Sequence, residues 1–404
     1  MKGYVSKYLI SNWYYIGVLL LMAISSYYAM PDIDNQTDVG TGFSYLSIVS
    51  LAAIQLPLLL FILGERLKGR IRMPIFILYY GVYFCWMTAI TLSTDNAHNI
   101  FGLTVLSMTV LVFLFSLITS YFRARYSELD TSFYIAVLLI FICIVYQYYN
   151  LYSIANQARS ENSHIAVSYF PLFILPILLL SSSRTIRIIA IAITSIVIVS
   201  SAKRGGFVAL GASLLVYELT KQFIEKKSHW QKIIMVLIVF LLMGSAIYYL
   251  YQQEDNNIIE RMLAIKDDGG SDRDVLWADT FYNIQNRDML SRIVGDGYRS
   301  SQKVSKYHLQ AHNDILEIWY DFGGIGLFFY GIAFLSLCIY TWRLFTRKSK
   351  YAPHLAMTIT FYFIFTMIST VILYFWMTLL MFSVGIISGL ADREQEKKIQ
   401  ITKS

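Results

Sequence analysis

Apolar residues run along this chain in stretches of about 18–22, without period-two alternation and with few charges inside them. That is the length needed to cross the ~30 Å hydrocarbon core of a bilayer as a helix. About twelve such runs are visible, near 12–30, 43–63, 73–92, 101–122, 131–151, 166–182, 185–201, 206–224, 232–251, 325–342, 355–373 and 375–391. A transmembrane barrel is excluded, because its strands would alternate in polarity over about ten residues. The pattern predicts an all-α polytopic membrane protein. Residues 1–251 hold the first nine transmembrane helices, 252–324 form one large outer loop with amphipathic helices, and 325–404 hold the last three and a tail.

The connections carry the charge. Lys2 and Lys7 precede the first run, and Arg66, Lys68, Arg70 and Arg72 follow the second. Arg123 and Arg125 follow the fourth, Arg184 and Arg187 the sixth, and Lys221, Lys226, Lys227 and Lys232 the eighth. Arg343, Arg347, Lys348 and Lys350 follow the tenth, and Lys397 and Lys398 lie in the tail. Parity puts all of them on one side, so that side is cytoplasmic and holds both termini. The alternate connections are acidic or mixed, with Asp32, Asp34 and Asp38, then Asp95 and His98, then Arg159 and Glu161.

Two places break this rule. Lys203-Arg204-Gly205-Gly206, between the seventh and eighth runs, falls outside by parity. It reads either as a cationic pair snorkelling from a helix end or as an anion site at the outer face. The second exception is the outer connection 252–311, about 60 residues with many cations, where the charge rule weakens with length. Within it Gly269-Gly270 makes a break, and Ser271 with Asp274 three residues on resembles a capping box. Trp277, Phe281 and Ile284 then recur at helical spacing, predicting an amphipathic helix near 272–290 on the bilayer surface. Arg273 falls in its first turn, where a cation opposes the helix dipole. It reads as a solvated arginine, or as part of a phosphate site that uses the free N–H groups of the helix start.

Composition adds little to this picture. The 404 residues are 56% hydrophobic and 15% charged, with mean hydropathy +0.53, more apolar than a soluble domain needs. The net charge of +7 sits in the connections, where it signals orientation before it suggests nucleic acid. Cys85, Cys143 and Cys338 lie inside apolar runs, offer no disulfide or metal-ligand spacing, and read as small core residues. The first run imitates a signal peptide, but the many runs after it favour an uncleaved anchor.

The most polar segment next to an apolar run is Ala311-His312-Asn313-Asp314-Ile315-Leu316-Glu317, continuing Ile318-Trp319-Tyr320-Asp321-Phe322 to Gly323-Gly324. Ionisable groups are expensive at that depth. Asn313, Glu317, Tyr320, Asp321 and Gly324 share one face at helical spacing, so 312–322 reads as a short interfacial helix that turns at Gly323-Gly324 into the tenth span. The chain has no Gly-rich phosphate loop and no Gly-x-Ser-x-Gly elbow. What recurs is outer-face arginine, suited to bidentate phosphate contacts, and one histidine, a base near neutral pH. Those parts suit displacement of a pyrophosphate leaving group by a hydroxyl, which needs one base rather than the carboxylate pair of a glycosidase.

These residues resemble the O-antigen ligase and polymerase family. The resemblance rests on Ser201-Ala202-Lys203-Arg204-Gly205-Gly206, on Arg273 with Trp277, on the turn Gly295-Asp296-Gly297, and on Ala311 to Glu317 followed by Gly323 to Leu327. It covers roughly 200–330. Where the family often has a proline before the Gly-x-Gly turn, this chain has Arg292-Ile293-Val294. The resemblance implies a metal-independent, inverting, membrane-embedded glycosyltransferase (GT-C-like) without cofactor, acting on the periplasmic face of a bacterial inner membrane. Its donor would be an oligosaccharide on undecaprenyl pyrophosphate, and its partners the bilayer and a chain-length regulator. His312 would activate the acceptor hydroxyl, while Arg204 and Arg273 hold the pyrophosphate. Lys203 and Arg299 join that group by position, and Asn313, Glu317 and His164 are supporting residues, with His308 a weaker candidate.

The leading reading is a polymerase joining lipid-linked repeat units of a surface polysaccharide. The alternative is a ligase that transfers finished glycan to lipid A core or protein by the same chemistry; the acceptor separates the two. A transporter or flippase for anionic lipids would instead string charges through the bundle at mid-membrane depth, and the first nine runs hold almost none.

Overall fold

In lipid, every backbone polar group must find a partner within the chain, so apolar runs of this length fold as helices. The computed structural model describes residues 42–67, 73–93, 100–157, 169–200, 204–226, 273–306, 310–369 and 376–403, together with 17–18, 20–21 and 234. The predicted runs near 12–30 and 232–251 fall almost wholly outside the described residues, as do Ser271 and the Gly269-Gly270 break. The described residues are helical, and no strand occurs among them. In chain order the helices are α1 (Gly42–Leu67), α2 (Ile75–Ser93), α3 (Ile100–Tyr126), α4 (Thr131–Gln157), α5 (Phe170–Leu178), α6 (Arg184–Ser200) and α7 (Arg204–Glu225). They continue with α8 (Arg273–Gln285), α9 (Met289–Val294), α10 (Ser300–Val304), α11 (Asp314–Thr346), α12 (Ala352–Ile368) and α13 (Trp376–Lys403).

Among the described residues, α2, residues Gly205–Glu225 of α7, and α11 are long and apolar enough to cross a bilayer. The predicted run near 166–182 folds differently. Its helix, α5, has 9 residues and rises only about 14 Å. Pro171 opens α5 and Pro176 lies inside it, and an interior proline removes an N–H and crowds the preceding turn. Every residue of α5 is buried, and Phe173 packs on Phe361 and Phe365 of α12 with ring centroids 5.4 and 5.8 Å apart. The described part of this run is thus a short helix buried in the core.

The closest helix pair is α13 on α3. Gly385 and Gly389, one turn apart, put backbone against backbone, and a Cβ at Gly385 would lie 2.6 Å from Leu117 O. A Cβ at Gly389 would overlap Tyr121 O. Small residues four apart let helices approach where no hydrophobic drive separates protein from lipid. Below this contact a polar cluster closes one end of the bundle. Tyr121 and Tyr340 donate to the two oxygens of Asp392 at 2.5 and 2.7 Å, and Arg125 donates to Tyr121 Oη at 2.7 Å. Arg125 also pairs with Glu396, and Arg393 with Glu128 at 2.6 Å. α11 lies along α2 through Tyr83–Tyr330 and Phe76–Tyr340 ring pairs at 5.5 and 5.1 Å.

Two expectations need correction. Cys85 and Cys143 face outward and Cys338 is half-buried, so they are not core residues. Apolar thiols are tolerated on a surface that meets lipid rather than water. The amphipathic helix expected over 272–290 is two helices. α8 ends at Gln285, and Asp288 caps α9 by accepting from Ser291 N–H at 3.0 Å. Those Ser291 bonds hold the Asp288 carboxyl below its usual range. The buried stripe of α8 is Leu276, Thr280 and Ile284, while Phe281 is exposed.

The expected turn at Gly323 is present. α11 breaks there, with Gly323 at φ 69° and ψ −178°, a left-handed conformation that favours glycine. Gly295, at φ 90°, packs against it, and a Cβ on Gly295 would lie 2.6 Å from Gly323 N. The last carbonyls before the break take partners from elsewhere. Tyr320 O accepts from Arg287 at 2.7 Å, Asp321 O from Gly297 N–H at 2.8 Å, and Phe322 O from Trp86 Nε1 at 3.0 Å.

Two outcomes test this packing. Gly385→Leu should lower stability by at least the ~1–3 kcal/mol of ordinary overpacking. Gly331→Ala, whose Cβ meets nothing within 4 Å, should leave it unchanged or raise it; thermal unfolding in detergent compares them, and equal midpoints would contradict the contact. Gly323→Ala should cost more than the ~0.5–1 kcal/mol of glycine's entropy alone, because the new methyl overlaps Ile293 O. A midpoint at or above that of the unaltered protein would show that the break does not need glycine.

Candidate active site

The start of a helix leaves N–H groups without acceptors. Asn313 supplies one to α11, its Oδ1 accepting from Ile315 N–H at 3.0 Å and Leu316 N–H at 3.3 Å. Its Nδ2 donates to Met367 O at 3.4 Å. Asn313 therefore acts as a cap, and it ties the start of α11 to the end of α12.

His312 stands immediately before that cap. It is half-buried and holds φ +52°, a left-handed conformation that non-glycine residues adopt rarely. Its neighbour Ala311 is gripped on both sides, donating its N–H to Glu317 Oε1 and accepting from Trp277 Nε1 at 2.8 Å. Through Trp277 the Arg-x-x-x-Trp helix α8 meets the Ala-His-Asn segment. Ser305 and Lys306 N–H fasten the far end of α10 to Asp279 of α8 at 2.9 and 3.2 Å.

Arg299 forms the other strained point. It is the N-cap of α10 at φ +58°, and its N–H donates to Asp321 Oδ2 at 2.7 Å. Asp321 Oδ1 accepts from Ser301 N–H at 2.9 Å and from the Ser300 hydroxyl at 3.0 Å. The Ser301 hydroxyl donates to Glu317 Oε2. Glu317 and Asp321 are both fully buried, one helical turn apart. Burial pushes both acids above the usual carboxylate range, and the ring of donors works against that rise without cancelling it. The Arg299 guanidinium lies 5.3 Å from the Tyr298 ring centre, a cation–π distance. Arg287 packs 3.9 Å over Tyr320 and pairs with Asp296 inside the Gly-x-Gly turn.

Gly205-Gly206, expected as a turn, lie in the first turn of helix α7 and reach the same region by a separate route. A Cβ on Gly206 would lie 2.9 Å from Tyr169 Cε1, and one on Gly205 would overlap the Ile368 side chain beside Met367. Tyr169 is buried and packs against Phe365 with tilted rings, centroids 4.6 Å apart. Burial pushes the Tyr169 phenol up, and the charge of Arg273, the first residue of α8, opposes that rise. The end of α12 and Tyr169 thus gather the start of α7, the start of α8 and the start of α11. Arg204 opens α7, and its side chain lies outside the described residues, as do Lys203, His164 and His308 altogether. Among the described residues no group of three or more His, Cys, Asp or Glu could hold a metal ion.

Sequence reasoning placed Asp321 on the polar face of this helix without giving it a role. The four-residue spacing from Glu317 was the available signal. Ser300, Ser301, Trp86 and Tyr169 carried no sequence signal, because their partners lie far away along the chain.

A search of curated proteins finds no match to the chain. Residues 189–331, which span Gly205-Gly206, Arg273, Arg299 and the Ala-His-Asn segment, match the family model described as O-antigen ligase. That match supports, for this part of the chain, the resemblance to the O-antigen ligase and polymerase family drawn from its motifs.

Proposed function

We propose that this protein is a polymerase that joins oligosaccharide repeat units carried on undecaprenyl pyrophosphate, working in a bacterial inner membrane. The observation that carries the reading is the fixed placement of His312. Its segment is clamped between the helix that starts at Arg273 and the helix that carries the acids bonded to the Arg299 turn. In the reaction, a hydroxyl of the acceptor sugar attacks the anomeric carbon of the donor. The C–O bond to pyrophosphate breaks, the lipid pyrophosphate leaves with the electron pair, and His312 takes the hydroxyl proton. Inversion follows from the single displacement. Arg204, Arg273, Lys203 and Arg299 hold the pyrophosphate, where fixed cations favour the charge that grows on the leaving oxygen. Glu317 and Asn313 support His312, and His164 is retained as a weaker candidate. No metal or cofactor takes part in this scheme.

The orientation fits. The residues of α11 beyond the break, 324–346, rise about 35 Å, enough for the ~30 Å core. They run from the His312 end to the end where Tyr340 meets Asp392 beside Arg125 and Arg393. Cations gather on the cytoplasmic side, which supports a periplasmic His312 in the proposed arrangement of about twelve spans with both termini cytoplasmic. The ligase reading shares every step, and the family match does not separate the two; only the acceptor differs. The flippase reading lacks support among the described residues, since the buried charged side chains lie near segment ends, Asp314, Glu317 and Asp321 before the break and Arg123 in the last turn of α3.

Purified protein in detergent, given lipid-linked repeat units, is expected to yield longer lipid-linked chains. His312→Ala should reduce that yield by about 10²–10⁴-fold, the usual contribution of a general base, with expression unchanged. Full activity in His312→Ala would remove the base assignment. Transfer only to lipid A core would make the protein a ligase.

A further inference from the structure

Among the described residues, four non-glycine residues hold left-handed backbone: Lys226, Arg299, His312 and Lys348. Lys226 and Lys348 follow the ends of α7 and α11, where a left-handed residue is an ordinary way to stop a helix. Arg299 and His312 instead stand ahead of helices, where no such terminator is needed. Strained backbone persists only where its surroundings over-determine it, and here the determinants can be named. Asp321 takes the N–H of Arg299 and the N–H of Ser301. Glu317 takes the N–H of Ala311, one residue before His312. Ser301 joins the two, giving its N–H to Asp321 and its hydroxyl to Glu317. Amides or hydroxyls could hold these turns without placing two acids one turn apart in a buried position. A carboxyl group offers two oxygens that accept in several directions at once, which suits a clamp on N–H groups two residues apart, as at Arg299 and Ser301.

We propose that Asp321 and Glu317 are the positioning pair of this site. Asp321 fixes where Arg299 is presented, Glu317 fixes where His312 is presented, and Ser301 keeps the two at one spacing. The inference rests on the proposed reaction, in which Arg299 binds pyrophosphate and His312 takes the proton. It predicts that the two acids fail differently. Asp321→Asn places an amide N–H against the N–H groups of Arg299 or Ser301, so the Arg299 turn loosens and substrate binding suffers. Glu317→Ala frees Ala311 and misplaces His312, so the chemical step suffers. Glu317→Gln keeps an oxygen for Ala311 N–H and should recover part of the loss.

The test measures chain extension and hydrogen exchange on the full-length protein in detergent. Asp321→Asn should raise KM for the lipid-linked donor about ten-fold with a smaller change in kcat. Glu317→Ala should lower kcat by about 10²-fold, the scale of a small misplacement of a catalytic group, with KM little changed. Glu317→Gln should lie between Glu317→Ala and the unaltered protein. Faster exchange should be confined to 297–301 in Asp321→Asn and to 311–313 in Glu317→Ala. Equal effects of both variants on kcat and KM, or loosening throughout the protein, would mean that the acids hold the fold alone and would overturn the inference. So would unchanged exchange at both turns. If the unaltered protein extends no lipid-linked chain, the proposed reaction falls, and the exchange pattern still decides whether the pair holds the two turns.

Discussion

A helix broken in its interior leaves the last carbonyls before the break without their intrahelical donors. At Gly323 this chain meets that constraint, and much of the site follows from how it is met. The three carbonyls before the break draw in Arg287, Gly297 and Trp86. Arg287 and Gly297 belong to the loop 286–299, so satisfying the break pulls that loop onto α11. Gly295 and Gly323 make the approach feasible, because neither has a Cβ to keep the two backbones apart. Trp86 comes from α2, which anchors the break to the bundle.

Once the loop is seated, the buried face of α11 meets its N–H groups. Acids there would be prohibitive without donors. The loop turns so that Arg299 N–H, Ser301 N–H and two serine hydroxyls point at Asp321 and Glu317. The cost of the acids and the strain at Arg299 and His312 are therefore one balance. The acids need donors in those directions, and the left-handed residues let the chain supply them. A fold selected for stability alone would place apolar side chains on this face, as α11 does on the far side of the break at Tyr330, Ala333 and Leu337.

The parts legible in the sequence were those fixed by local chemistry. The apolar runs give the helices, and the polar segment 312–322 with Gly323-Gly324 gives the short helix and its break. Asn313 sits where a capping residue belongs, although position alone suggested a ligand role. What the sequence hid depends on distant partners. Nothing near Tyr169 marks it as the residue that packs on Gly206, since that contact is made across helices. The division of the expected helix over 272–290 turned on Asp288, a cap that competes with helix continuation once Ser291 is in reach. The length of α5 was obscured because apolarity cannot tell a crossing helix from a fully buried core segment.

The two ends of the bundle answer their charges by different means. At the end that carries Arg125 and Arg393, acids and bases pair directly, as in Arg125 with Glu396, Arg393 with Glu128 and Lys398 with Glu394. At the His312 end, the bonds to Glu317 and Asp321 come from backbone N–H and hydroxyl groups. The difference follows depth. Arg125 meets Glu396 where the acid still reaches the surface, whereas Glu317 and Asp321 are buried. Main-chain and hydroxyl donors can meet an acid inside the fold without the cost of burying a second charge beside it.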